Sequence, residues 1–326
     1  MKHSAGSART GHPVLRYIGR TFAVLGILLL SAVVLITGAV GLTCKGPSVA
    51  ARDLFVTTVQ QYDTLKFLPS LFLSDAEIDA ILASNRLVPT EATTDTTFGF
   101  IESEDPDAEP IQKLTLQGDS YAGMLLIVKD PSRIELACVS AFGAEQTGAS
   151  VESFAEQSGA FAAISGGSGG VPTGFVIQNG NLIHGSKTTA ASIIAFDTTN
   201  RLLVGNMTAE QALNAGVQNA VCSETSAIVV NGKATEIAGL GDGLHPRAVI
   251  GQRADGAILL MVIDGTKSAV PGALLEDCIY ETLKAGAVNA AILDNGDSAA
   301  LLYQNAIQNS APAAQDRCAP VAFVVL

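Results

Sequence analysis

The chain has 326 residues, of which 48% are apolar, 15% charged and 5% aromatic; such a chain can bury a large core, which excludes disorder as its dominant state. Nineteen basic against 31 acidic side chains leave a formal charge of −12, so no basic face is evident that could neutralise a nucleic-acid backbone, and nucleic acid is excluded as a partner. The five cysteines form neither a Cys-x-x-Cys pair nor a Cys/His cluster, which argues against structural zinc.

Charge is placed unevenly. Residues 1–20 hold Lys2, Arg9, Arg16 and Arg20 and no acid, whereas the remaining 306 hold 15 basic and 31 acidic side chains. Thr21 to Cys44 is a 24-residue run without a charge. At ~1.5 Å per helical residue it spans the ~30 Å hydrocarbon core of a bilayer. Basic flanks stay inside, so the sequence predicts a cytoplasmic tail over 1–20, a transmembrane anchor in the lipid bilayer over 21–44, and an extracytoplasmic body beyond Lys45. A cleaved signal peptide is the alternative, with Val49-Ala50-Ala51 as its small-residue site, although its apolar region is usually only about 7–15 residues long. Outside the cytoplasm Cys138, Cys222, Cys278 and Cys318 are permitted to form disulfides, in any of the pairings four cysteines allow; small buried thiols are the alternative.

Gly46-Pro47-Ser48 breaks the apolar helix, and residues 49–63 (VAARDLFVTTVQQYD) then carry apolar side chains at helical spacing. Ser74 and Glu77 form a capping box ahead of IDAILA. Residues 89–112 contain seven acids and no base, which predicts a solvated linker or a long mobile loop. Residues 45–116 therefore read as a helical stalk and acidic linker, and 117–326 as the functional domain. That domain is strand-rich: YAGMLLIVK and RIELACVSAF flank Asp130-Pro131-Ser132, and hairpins are predicted at Asn179-Gly180, DTTN (197–200), Asn231-Gly232 and Ala254-Asp255-Gly256. Helices are predicted over VESFAEQS, TAEQALNAG with Thr208 as its cap, and ALLEDCIYETLKAG. AVNAAILD and PVAFVVL complete the strands. Strands outnumber helices without βαβ alternation, so the fold class is α+β, a mixed-sheet domain with a few packing helices.

Beyond the anchor the histidines are only His184 and His245, and no Gly-x-Ser-x-Gly elbow exists to complete a serine triad. The glycine run from Ser165 to Gly170 lacks the lysine of a phosphate-binding P-loop, which discounts a nucleotide. The informative acids are Asp264, closing ILLMVID, and Asp294, closing AVNAAILD. An acid where an apolar strand enters a glycine-containing turn can work as a general acid, a general base or a nucleophile, or it can simply cap the turn. Arg247, following His245-Pro246, is a cation whose planar fork suits phosphate; a surface ion pair is its alternative.

HPRAVIGQRADGAILLMVIDG, GAVNAAILDNGDSAALLY and DRCAPVAFVVL, preceded by AAISGGSGGVPTGFVIQNGNLI, resemble the phosphodiester glycosidase family over roughly residues 117–326. The resemblance extends to membrane-attached bacterial members through the anchor and stalk. It implies hydrolysis of a sugar-1-phosphodiester in cell-envelope or extracellular glycans such as exopolysaccharide, with a carbohydrate phosphodiester as partner and no cofactor required. Catalysis would fall to Asp294, Asp264 and Arg247, and substrate contacts to Ser165, Gly166, Gly167, His245, Gly296 and Ser298. Ser165 stands where the family has the Asn of Asn-Gly-Gly-Phe, and Asp-Gly-Gly-x-Ser reads here Asp294-Asn295-Gly296-Asp297-Ser298. Asp297 thus adds negative charge where an anionic substrate would bind. Calcium on Asp294 and Asp297, or a degenerate member that binds glycans or an envelope partner without turnover, are the alternatives.

Overall fold

The computed structural model describes residues 13–326 apart from 61, 63, 98, 101–108, 144–147, 168–170, 224–225, 266–270 and 311–317. The first helix, α1 (Pro13–Lys45), contains the predicted anchor. It is followed by α2 (Val49–Val59), whose first turn is capped by Ser48, and α3 (Asp75–Ser84), where Ser74 and Glu77 exchange the expected reciprocal hydrogen bonds. These helices share a small apolar core of Val40, Cys44, Val56, Leu73, Ile78 and Ile81. Gly41 is required there, because a β-carbon would come within 2.9 Å of the Phe72 ring.

Three antiparallel sheets enclose the main core. The largest has seven strands, and its centre is Ala287–Asn295, Arg247–Arg253, Ile258–Ile263 and Ala122–Val128 in spatial order. A five-stranded sheet is centred on Val217–Ser223 and Ala191–Asp197, and another on Ala162–Ser165 and Val321–Val325. Because side chains alternate along a strand, each sheet offers two apolar faces. One face of each meets the others: Leu126, Ile250 and Leu260 of the large sheet join Ile194 and Val204 of the second and Ile164 and Phe323 of the third. The opposite faces are covered by one helix apiece. Leu125, Val249 and Met261 pack under Leu275, Cys278 and Ile279 of the helix Leu275–Lys284. Val151–Ser158 and Ala209–Asn214 serve the other two sheets in the same way. Burial on both faces explains why ILLMVI is apolar at every position rather than at alternate ones.

The predicted hairpins at Asn-Gly form with both residues at positive φ, 51° and 71° at 179–180 and 52° and 74° at 231–232, the geometry that matches strand twist and that only Asn and Gly reach at low cost. Asp130-Pro131-Ser132 is a short 3-10 turn, but it passes the chain from the seven-stranded sheet to a different one rather than closing a hairpin.

The segment read as a linker is stitched to the domain where it is described. Thr94 is buried and exchanges hydrogen bonds with Val204, Asn231 ties Thr93 and Asp95, and Ile111–Gln117 is the edge strand of the seven-stranded sheet. Residues 101–108 of the expected linker lie outside the described residues. The stalk is likewise joined to the body. Arg86–Leu87 pairs with Ile237–Ala238, Thr58 Oγ1 accepts from Leu244 N (3.2 Å), and buried Asn85 accepts from Leu240 N (2.9 Å) while donating to Ile81 O (2.8 Å). Asn85→Ala is expected to lower unfolding stability by about 2 kcal/mol, because it strands the Leu240 N–H and the Ile81 carbonyl in a dry contact. Urea unfolding of the full chain measures it, and a loss under about 0.5 kcal/mol would contradict this account of the joint.

Candidate active site

Three strands of the large sheet end together. Arg247 opens one, and in register it faces Ile263, which closes the second, and Asn295, which closes the third; Ala248 faces Asp294. Antiparallel pairing therefore brings Arg247, Asp264 and Asp294 to one sheet end although 17 and 47 residues separate Arg247 from the two acids.

Arg247 is fully buried. Its Nε donates to Ala273 O (3.0 Å), Nη1 to Asp242 Oδ2 (3.1 Å) and Asn295 Oδ1 (2.7 Å), and Nη2 to Asp242 Oδ1 (2.5 Å) and Gly243 O (2.9 Å). These five bonds match the five N–H groups of a guanidinium. Arg247 consequently offers no open fork to a phosphate in this conformation. It fixes Asn295 at the rim and holds Asp242. Burial pushes the Asp242 carboxyl up, but Arg247 outweighs it and keeps the group below its usual value. His245 is buried beside them, with Nε2 donating to Asp242 O (2.6 Å) and Nδ1 without a partner. Burial, reinforced by Arg247, lowers its pKa to about 4, so it is neutral at pH 7.

Asp294 behaves oppositely. It is 5% exposed, its Oδ1 accepts from Ser298 Oγ (2.9 Å), and its Oδ2 has no hydrogen bond. Burial raises its pKa to about 7, against the partial relief given by the Ser298 and Ser165 hydroxyls and the Asn295 N–H. Ser165 is itself buried, and its Oγ accepts from Ala300 N (3.1 Å). Asp294 lies in the wall of a cleft of about 200 Å³ whose lining includes Gly166, Gly167, Thr173, Cys222 and Asn295. A β-carbon on Gly166 would press to 2.8 Å from Val321, and Gly167 has φ +108°; both positions demand glycine. Gly296, at φ +110° with open space about it, turns the chain beyond Asn295 while its N–H donates to Pro246 O. Asp297 follows, partly buried and with its pKa raised by that burial.

The remaining sites lie a little apart. Asp264 is half-buried, its Oδ1 accepting from Ser310 N, and it is not in the cleft wall. Ser298 and His245 are not in the cleft wall; Ser298 bonds to Asp294 and His245 to Asp242. Among the described residues no three His, Cys, Asp or Glu side chains converge as ligands.

Asp242 and Asn295 were invisible as partners of Arg247 in the sequence. The one local signal was Asp242 between Gly241 and Gly243, both at positive φ, in a loop that must curl back over the strand it precedes.

Burial of Asp294 has a measurable consequence. An acid whose folded pKa of about 7 exceeds its unfolded value of about 3.9 binds its proton more tightly in the fold. Its penalty is absent below about pH 4, grows through pH 4–7 and is complete above that range. Asp294→Asn is therefore expected to stabilise the protein at pH 8, on the order of 1–3 kcal/mol, and to leave it little changed at pH 4. Thermal or urea unfolding across this range checks it; equal effects at both pH values would contradict a protonated Asp294.

The family model of the phosphodiester glycosidases matches residues 152–326. Among solved structures, the chain is similar to the catalytic domain of zebrafish N-acetylglucosamine-1-phosphodiester alpha-N-acetylglucosaminidase, auto-inhibited by its pro-peptide. That likeness has a TM-score of 0.56 at 16% identity, over 69% of this chain and 86% of that one, and it speaks for the fold alone. A hypothetical protein from Synechocystis matches with a TM-score of 0.48 at 14% identity, over 67% of this chain and 64% of that one. No curated protein matches the chain. With more than half of its length in the family's pattern, the chain belongs to the phosphodiester glycosidase family.

Proposed function

We propose that the protein is a membrane-anchored, extracytoplasmic glycosidase that cleaves the bond between a sugar anomeric carbon and a phosphodiester oxygen in cell-envelope or extracellular glycans. The observation that carries this reading is Asp294, a buried carboxyl with a pKa of about 7 in the wall of a glycine-lined cleft. A carboxyl held half-protonated near neutral pH can give its proton to the departing phosphate oxygen, as general acids of glycosidases do. The C1–O bond then breaks, water adds at C1, and a sugar and a phosphate monoester leave. Asp264, at the same sheet end but outside the cleft wall, is the second carboxylate of this reading; turned from Ser310 N toward the cleft, it activates that water or stabilises the positive charge at C1.

Gly166 and Gly167 let the diester approach the main chain closely, Ser165 and Ser298 orient Asp294, and Asn295, gripped by Arg247, stands at the rim. His245, neutral behind Arg247, adds no charge to the site. The anchor reading is supported by the helix segment Arg20–Lys45, with mean hydropathy 2.7 and almost no burial within the protein.

A second reading is favoured by one specific feature. Asp297 stands in the signature at a place the family usually keeps small, and its partly buried charge opposes an anionic ligand. A member so altered would bind a glycan without turning it over.

Turnover of a sugar-1-phosphodiester by the purified full chain separates the two. Under the glycosidase reading Asp294→Asn lowers kcat by roughly 10²- to 10⁴-fold, and wild-type activity declines above about pH 7 as the proton is lost. Glycan binding without turnover by the wild type would instead establish the second reading.

A further inference from the structure

The chain between α2 and α3 has two faces. Leu68, Pro69, Phe72 and Leu73 turn inward onto the core shared with α1. Leu65, Phe67 and Leu71 turn outward and are 41%, 54% and 53% exposed. The inward face fixes the height of the segment along α1. Phe72 lies against Gly41, one turn before Lys45 and still inside the uncharged run. At ~1.5 Å per residue this contact lies about 6 Å inside the charged end of the helix. The outward apolar side chains consequently sit at the depth where the end of a transmembrane helix meets lipid headgroups, a level at which aromatic and leucine side chains are favoured beside basic ones. Nothing in the described chain covers them.

The same segment approaches the candidate site. Tyr62, three residues before Leu65, donates its hydroxyl to Gly265 O (3.5 Å), and Thr58 holds Leu244 beside His245. Gly265 follows Asp264, and Asp297 is near enough for its charge to raise the Tyr62 hydroxyl, after the larger effect of burial.

We propose that residues 65–71 form an interfacial foot that enters the outer leaflet of the bilayer crossed by α1, so that the Asp294 end of the seven-stranded sheet is held against the membrane surface. This inference rests on the anchor reading above and is independent of whether the cleft turns over a substrate. The occupant is the lipid surface, since the Phe72–Gly41 contact sets these side chains level with the end of the uncharged run of α1. The foot also explains why the stalk is bonded to the body: a swinging stalk would leave the height of the cleft undefined, whereas the Asn85, Thr58 and Arg86–Leu87 joints fix it.

The chain contains no tryptophan, so one introduced at an exposed position reports on that position alone. The full chain carrying Phe67→Trp is reconstituted into phosphatidylcholine vesicles with and without brominated acyl chains. Phe100→Trp is the reference. Phe100 lies against Gly256, at the turn joining the Arg247–Arg253 and Ile258–Ile263 strands, and so at the far end of the sheet, about 20 Å from Arg247 at strand rise. Vesicle flotation is measured first. The expected result is that the chain floats and that brominated lipid quenches Phe67→Trp by about twofold or more while leaving Phe100→Trp nearly unchanged, with Leu71→Trp repeating the Phe67→Trp result. Flotation with equal quenching at positions 67 and 100 would overturn the foot and leave the anchor standing. Failure to float would overturn the anchor and the foot with it.

Discussion

A guanidinium without water around it must find an acceptor for each of its N–H groups, and the architecture of the candidate site follows from that requirement at Arg247. Its five bonds reach Asp242 and Gly243 in the loop before its own strand, Ala273 ahead of the covering helix, and Asn295 at the end of the neighbouring strand. Removing any acceptor leaves an uncompensated donor in a dry interior, which costs several times more than a surface contact. The loop 239–245 is thereby locked, and because the same loop is bonded to Asn85 and Thr58, the helical layer beside α1 is locked with it.

Next to this saturated cation is a carboxyl with an oxygen left unsatisfied. Arg247 is opposite Asn295 in register and Asp294 is opposite Ala248, so the two side chains leave opposite faces of the sheet, and the arginine is occupied by Asp242 and Asn295. That division keeps the arginine paired and leaves the aspartate, whose pKa burial raises to about 7, half-protonated at pH 7. Asp242 serves the site by holding Arg247, which in turn fixes Asn295 at the rim, a role that needs no contact with substrate.

Much of the fold was legible because its signals are local. Asn-Gly pairs at 179 and 231 dictate their hairpins through positive φ, capping residues at 74 and 208 start their helices, and strand ends at Asp264 and Asp294 mark where apolar runs stop. The candidate site was legible to the extent that Arg247, Asp264 and Asp294 lie at or next to strand ends, and antiparallel pairing then gathers them at one end of the sheet. What could not be read is non-local. Thr93 to Asp95 belong to a polar stretch with no apolar periodicity, and they are held by hydrogen bonds to residues more than a hundred positions away. The saturation of Arg247 likewise depends on Asn295 and Ala273, whose identities carry no signal until the strands are paired. Tyr62 reaches Gly265 only because α2 docks on the body.

The central claim is that Asp294 holds a proton near neutral pH while Arg247 beside it is fully paired. Titration of the Asp294 side-chain carboxyl by carbon-13 NMR, assigned by its absence in Asp294→Asn, tests this without reference to any substrate. The account predicts a midpoint near 7. A midpoint at or below the ordinary value of about 3.9 would show that the carboxylate is solvated or ion-paired and would remove the general acid on which the proposed chemistry rests.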